Sequence, residues 1–347
     1  MMERNIFQNS SMICGHKISL NAIENKFSHI YVEEEIKNFK VTRKILQNFP
    51  NSKLIYINNY RDVFNRVRQN FNVQKYSQKL ILAKAKSNFI YDGSDMCEDF
   101  GQENFYYSSS ILNCIYNCEY CYLKGLYPSS NVVIFVNVED FIEAAVEKGK
   151  GKKIYVCISY DSDILVFENI TGFAEKWIRM AEKNPNILIE IRTKSINFKS
   201  VKHLDIPSNV IFAWSLLPDE VIQKYEFKVP SLNSRLKSIG EAIEKGVQVR
   251  LSIEPIMQIN NFDNVYEKFI TKIFNSINKE KVRDINIDTF RVKKEHLKRI
   301  RKLNPYENIF GYKFSNIDDY YTYEDSKRMK EHVYNLVRKY VPENKIF

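Results

Sequence analysis

"SSSILNCIYNCEYCYLKG", residues 108–125, crowds Cys114, Cys118 and Cys121 into one short segment and sets a tyrosine on each side of the last. A strand is expected just before it, over 105–110, so the three thiols fall on the loop at that strand's C-terminal end. A structural zinc site takes four ligands. No further Cys or His follows at zinc-finger spacing, and His203 is far along the chain. Three thiolates on one short loop instead suit a [4Fe–4S] cluster with one iron left open. The plainer alternative is three unconnected buried cysteines.

Working outward, the chain alternates regularly from residue 105. Strands are expected at 105–110, 154–159, 187–194, 209–216, 247–255 and 283–290, with helices near 138–149, 171–184, 219–226, 232–245 and 263–277. Strands spaced by helical segments form βα units around a parallel sheet. The expected fold class is therefore α/β, a TIM-like partial (β/α)6 barrel over 101–290 with its chemistry at the C-terminal strand ends. Residues 1–100 are expected to form an N-terminal α/β region, with "FSHIYVEEEI" a strand leading into a helix and "SKLIYINNY" and "QKLILAKAKSNFIY" further strands. The last stretch, 291–347, is basic, then aromatic-rich, and is expected to end in a helix near 324–340.

Of 347 residues 44% are hydrophobic, which supports a substantial core and excludes global disorder. Lysines and arginines outnumber acids by 52 to 42, giving +10. Such an excess suits an anionic partner such as nucleic acid, although many basic proteins bind none. No apolar run approaches about 18 residues, and "MMERNIFQNSSMICGHK" lacks a signal-peptide core. A cytoplasmic chain with no membrane partner is expected, its cysteines (14, 97, 114, 118, 121 and 157) reduced or metal-bound. Cys14, near the N-terminus, is expected to be incidental.

The spacing C-x3-C-x2-C, with Tyr120 just before the third cysteine, resembles the radical S-adenosylmethionine (SAM) superfamily. Within it, "CEYCYLKG" resembles the spore photoproduct lyase family, whose cluster loop continues with Tyr-Leu. The resemblance extends to "NVVIFVNVEDFIEAA", "ISYDSDIL", "IEIRTKS" and "WSLLPDEVIQKYEFKVPSLNSRLKSIGEAI", and is greatest to the clostridial-type branch. It implies a lyase that repairs the ultraviolet photoproduct of spore DNA, 5-thyminyl-5,6-dihydrothymine, by restoring two thymines. It further implies a [4Fe–4S] cluster whose open iron chelates SAM, and a 5′-deoxyadenosyl radical that abstracts hydrogen from C6 of the dihydrothymine. The thymine radical left after scission must then receive a hydrogen atom from the protein, and SAM is regenerated.

Carried over residue by residue, the resemblance makes Cys114, Cys118 and Cys121 the cluster ligands and matches Ser162, Lys194, Ser215 and Tyr122 to SAM. Lys194 read without the resemblance is an ordinary solvated lysine. Tyr120 and Tyr122 match tyrosines of radical return, or else pack around the cluster. Where the better-known branch has a donor cysteine, this sequence has Tyr160. Cys97, in the polar loop "DGSDMCEDFGQ", is the favoured donor, with Cys157 and Tyr160 the alternatives.

The expected partners are double-stranded DNA carrying a thymine dimer lesion, both nucleotides flipped into the barrel mouth, and an electron donor of ferredoxin or flavodoxin type. A monomer is expected. In "RVKKEHLKRIRK", 291–302, Arg291 matches the family's arginine near the lesion, while Lys293, Lys294 and Lys298 either bind phosphates or form a solvated helix face. The aromatic tail "IFGYKFSNIDDYYTY" resembles the family's C-terminal hairpin and adds Tyr312 and Lys313. Two other readings stand beside repair. One is a radical SAM enzyme acting on another nucleic-acid lesion or modified base; the other is a nucleic-acid-binding module with a structural metal.

Overall fold

The computed structural model describes residues 26–94 and 96–347; Cys14 lies outside them. The strands in chain order are β1 (His29–Glu33), β2 (Lys53–Ile57), β3 (Leu80–Ala83), β4 (Tyr91–Asp92), β5 (Phe105–Tyr107), β6 (Ile111–Leu112), β7 (Asn117–Cys118) and β8 (Val132–Phe135). They continue as β9 (Ile154–Cys157), β10 (Ile187–Thr193), β11 (Val210–Ser215), β12 (Glu226–Phe227), β13 (Gln248–Ile256), β14 (Val282–Thr289), β15 (Arg291–Lys293), β16 (Phe314–Ile317) and β17 (Tyr320–Tyr323). The helices are α1 (Lys40–Leu46), α2 (Arg61–Phe64), α3 (Phe71–Gln74), α4 (Leu123–Leu126), α5 (Val138–Lys148) and α6 (Glu168–Thr171). They are followed by α7 (Phe173–Lys183), α8 (Asp219–Tyr225), α9 (Leu232–Glu244), α10 (Phe262–Ser276), α11 (Lys294–Leu303) and α12 (Ser326–Val337).

The main sheet has seven strands in the order β14-β13-β11-β10-β9-β5-β4, and every neighbour from β5 to β14 is parallel. Helices bridge successive parallel strands because their apolar residues recur at helical spacing. In α7, Phe173, Trp177 and Ala181 lie one turn apart and are all buried, as are Ala174 and Ile178. The strands themselves are apolar on both faces, as β11 shows with all six residues buried.

A second sheet, β2-β1-β3-β8-β6, is parallel apart from the β6–β8 pair. Here the architecture departs from expectation. β8 falls within 101–290, the stretch expected to form the barrel, yet it pairs with β3, so the N-terminal sheet reaches past residue 100. The hydrogen bonds therefore make two sheets of mixed α/β character, mostly parallel, rather than one continuous barrel ladder. The strand expected over 78–91 is also shorter. After Ala83 the side chains of Glu33 and Asn137 take the amides of Lys84 and Ala85, and the ladder stops. At the C-terminus β15, β17 and β16 form a small antiparallel sheet that carries the aromatic hairpin. Among the described residues, no helix is long and apolar enough to cross a membrane.

Candidate active site

The C-terminal ends of the parallel strands open onto a cavity of about 640 Å³. Tyr107 ends β5, Cys157 ends β9, Lys194 follows β10, Ser215 ends β11, Glu254 lies near the end of β13, and Thr289 ends β14; all line it. Cys114, Cys118 and Cys121 line the same cavity with unpaired thiols. Burial pushes the Cys114 thiol up to about 11 and the Cys118 thiol up to about 12. Among the described residues, no three His, Cys, Asp or Glu side chains are placed to hold a single ion.

The cysteine loop is fixed from behind. The Lys75 ammonium, itself buried, donates to the carbonyls of Cys114 (2.5 Å) and Tyr116 (2.8 Å), and Gln78 donates to Cys114 (3.1 Å). Cys118 lies on β7, paired antiparallel to Glu226 of β12. Glu226 accepts hydrogen bonds from the Tyr120 hydroxyl and from Arg235, and the Lys194 ammonium sits 3.8 Å away. Burial would raise the Glu226 carboxyl, but Arg235 and Lys194 hold it below its ordinary range. Lys194 is thus a half-buried ammonium at a strand end, 5.5 Å from the centroid of Tyr120. Ser162 donates to the carbonyl of Asn113 at 2.7 Å, and the Ser215 carbonyl accepts from Arg235 at 3.0 Å.

A thiol and a row of tyrosines occupy another side of the cavity. Cys97 Sγ and the Tyr160 hydroxyl share a hydrogen bond at 3.5 Å. Tyr160 stacks on Tyr107 with centroids 4.2 Å apart, and the Tyr122 ring lies 6.0 Å from it. The Tyr122 hydroxyl donates to the Tyr160 carbonyl (3.0 Å) and to Asp161 (2.9 Å). Burial raises the Cys97 thiol, which keeps it protonated, and drives Tyr160 and Tyr122 upward as well. Cys157 is a buried strand-end thiol pushed up to about 12, its sulfur 3.9 Å from Glu190. Cys97, Tyr160 and Tyr122 are brought together; Tyr120 is held apart on Glu226.

Arg291 donates to the Met96 carbonyl at 2.9 Å and pairs with Asp288, so it pins the loop that carries Cys97. Arg291 and Lys293 line the cavity. Lys294 begins α11, and Lys298 faces outward in a 2.8 Å ion pair with Glu295. Tyr312 and Lys313 do not line the cavity; the Tyr312 hydroxyl accepts from Lys224 and donates to Asn260, both at 3.3 Å.

Several buried charges escaped the sequence reading. Asp161 accepts from Ser109, Tyr122 and Tyr127. Glu190 accepts from Tyr155 and Arg250, and Arg192 bridges Glu190 and Glu254. Burial alone would raise Glu190, yet Arg192 and Arg250 hold it at about 2. The available signal was "ILIEIRT", in which Glu190 and Arg192 alternate on one face of an otherwise apolar strand.

The family profile described as spore photoproduct lyase matches residues 26–347. The chain belongs to the spore photoproduct lyase family. Among its relatives is the spore photoproduct lyase of Clostridium acetobutylicum, 25% identical over 168 residues, which are 47% of this chain and 49% of that protein. The alignment thus spans about half the length of that curated relative. A solved spore photoproduct lyase variant with bound AdoMet and dinucleoside spore photoproduct has the same fold, with TM-score 0.76 at 17% identity, covering 92% of this chain and 98% of the other. A second, complexed with dinucleoside spore photoproduct, gives TM-score 0.77 at 16% identity, covering 92% and 99%.

Proposed function

We propose that this chain is a radical SAM DNA repair lyase that reverses the spore photoproduct, 5-thyminyl-5,6-dihydrothymine, to two thymines. One observation carries the reading: in a chain of this family, three free cysteines and a Cys97–Tyr160–Tyr122 row share one cavity at the strand ends. The seven-stranded sheet then acts as a partial (β/α)6 barrel, because the ends of β5, β9, β10, β11, β13 and β14 all reach that cavity. Functionally the chain divides into an N-terminal region (1–100), the barrel (101–290) and a DNA-contacting region (291–347), with β8 crossing the first boundary.

The donor set fits a [4Fe–4S] cluster. Each cysteine of such a cluster binds a different iron, so three thiols spaced around one cavity suit it better than a single zinc ion. Buried thiols must also lose protons to ligate, and the Lys75 and Lys194 ammoniums supply compensating charge. Bound there, the cluster and SAM supply a 5′-deoxyadenosyl radical. Cys114, Cys118 and Cys121 would hold the cluster. Lys194 would pair the SAM carboxylate, with Ser162, Ser215 and Tyr122 completing its contacts.

The remaining chemistry belongs to this chain's own side chains. Cys97 keeps its S–H bond available to the thymine radical, while Tyr160 and Tyr122 lie in sequence for the return of a hydrogen atom, with Tyr120 beyond them. Cys157, hydrogen-bonded to Glu190 at the strand end, is the reserve donor. Arg291 and Lys293 at the mouth, with Lys294, Lys298, Tyr312 and Lys313 farther out, would contact double-stranded DNA whose lesion is flipped inward. Tyr160 at the family's cysteine position supports the clostridial-type branch. A ferredoxin- or flavodoxin-type electron donor, a monomer and a cytoplasmic setting complete the reading.

The test is incubation of anaerobically reconstituted protein with synthetic dinucleoside photoproduct, SAM and dithionite. Thymidine formation is expected. Formation of 5′-deoxyadenosine without thymidine would favour another lesion or modified base, and absence of both in iron-replete protein would end the radical SAM reading.

A further inference from the structure

We propose that the surface directly behind the cysteine loop, built from Val73, Tyr76, Phe227, Lys228 and Tyr306, docks a small acidic one-electron carrier protein. The inference rests on the radical SAM reading above, since only that reading requires an electron from outside. The transfer itself is one electron from the reduced carrier to the iron–sulfur group, with no bond made or broken.

Large apolar side chains stand unusually far into solvent here. Tyr306 is 91% exposed, Tyr76 80%, Val73 66% and Phe227 43%. One such residue is ordinary, but several on one face mark an interaction site. Three distant chain segments are tied into that face. Asn72 donates to Glu307 at 3.2 Å, joining α3 to the turn that carries Tyr306. Lys228 donates to the Lys75 carbonyl at 3.5 Å, with its ammonium 5.9 Å from the Tyr76 ring centroid.

The face lies one layer from the thiols. Phe227 pairs with Asn117 and Glu226 with Cys118 across the β12–β7 ladder. Lys75, next to Tyr76, holds the Cys114 and Tyr116 carbonyls. Electron tunnelling falls steeply with distance, and between a carrier seated on Phe227 and Tyr76 and the thiols stand the β12–β7 pair and the Lys75 contacts. None of the five residues lines the cavity, and a carrier bound here leaves the DNA-facing mouth free.

Charge selects an acidic occupant. Lys228 is exposed, as are Arg66 and Arg68 in the loop leading to α3, and no ion pair among the described residues engages any of the three. Glu307 is already consumed by a buried pair with Lys124 at 2.8 Å. A modest apolar patch rimmed by uncompensated cations matches transient redox complexes, which are small and electrostatically steered.

The experiment compares wild type with the double variant Tyr76→Ser/Lys228→Glu, both reconstituted with iron and sulfide. Stopped-flow absorbance follows oxidation of flavodoxin hydroquinone and, separately, reduction by dithionite. Titration of flavodoxin against protein without iron reads binding alone. The variant is expected to lose at least about tenfold in bimolecular rate and affinity for flavodoxin at low salt, less at high salt. Its dithionite reduction, cluster content and DNA affinity should match wild type. Unchanged flavodoxin rate and affinity would overturn the docking surface alone. Equal losses with dithionite would make the patch structural, and a parallel loss of DNA affinity would make it a nucleic-acid contact. A wild type that binds no reducible cluster would overturn the underlying reading as well.

Discussion

At the scale of single residues, the proposed hydrogen donor Cys97 lies 3.5 Å from the Tyr160 hydroxyl. Thiol S–H and tyrosine O–H bonds are of similar strength, so Cys97 can give its hydrogen atom to the thymine radical and recover one from Tyr160 across that contact. Cys97→Ala is expected to consume SAM stoichiometrically and yield less thymine with reductant-trapped adducts, whereas Cys157→Ala should repair cleanly with some loss of stability. Mass spectrometry of both product mixtures checks this; clean repair by Cys97→Ala with adducts from Cys157→Ala would move the donor to the strand. The Arg250 guanidinium, buried between Glu190 and Asp284, gives a second expectation. Arg250→Met should destabilise by about 3 kcal/mol in chemical denaturation, because Glu190 and Asp284 each lose a buried partner and keep only the half-exposed Arg192 and Arg283. The three clustered cysteines were legible because their signal is local spacing. Asp161, Glu226 and Arg250 were not, because their roles arise only when separate strands bring tyrosines and counter-charges to them.

At the scale of elements, α4 and α11 meet at Gly125, where an added Cβ would lie 2.4–2.6 Å from atoms of His296, including its main chain. Gly125→Ala should therefore push α11 off the cysteine loop, lowering both thermal stability and, with the proposed cluster reconstituted, iron retained on gel filtration. A change in neither would mean that the helices separate freely. A pH effect belongs to α7, whose amides of Ala174 and Glu175 are capped by Glu168. Burial raises that carboxyl from 4.5 to about 7. Its folded form thus binds the proton more tightly than the unfolded chain. The stability it contributes is full below about pH 4.5 and is lost as pH rises through about 7. In urea melts, wild type should lose stability over that window relative to Glu168→Gln; parallel curves would contradict it. The main helices could be read from periodicity and the parallel strands from short apolar runs, as α7 and β11 illustrate. β6, β7 and β12 could not, since two residues carry no period, and the pairing of β8 with β3 is a tertiary choice.

At the scale of the whole molecule, the net charge of +10 suits the proposed anionic duplex partner. Replacing Lys293, Lys294 and Lys298 with glutamine should flatten the slope of log affinity against log salt, by about 0.9 for each phosphate no longer neutralised. Lys298, already paired with Glu295, should contribute least. An unchanged slope in fluorescence anisotropy would assign all three to a solvated helix face. The most direct test of the central claim is repair carried out in D2O, with dinucleoside photoproduct, SAM and dithionite, and mass analysis of the thymidine released. If Cys97, an exchangeable thiol, quenches the thymine radical, one of the two thymines should carry a single deuterium in its methyl group, with several repairs per SAM consumed. Absence of thymidine from cluster-loaded enzyme that still cleaves SAM would contradict the account.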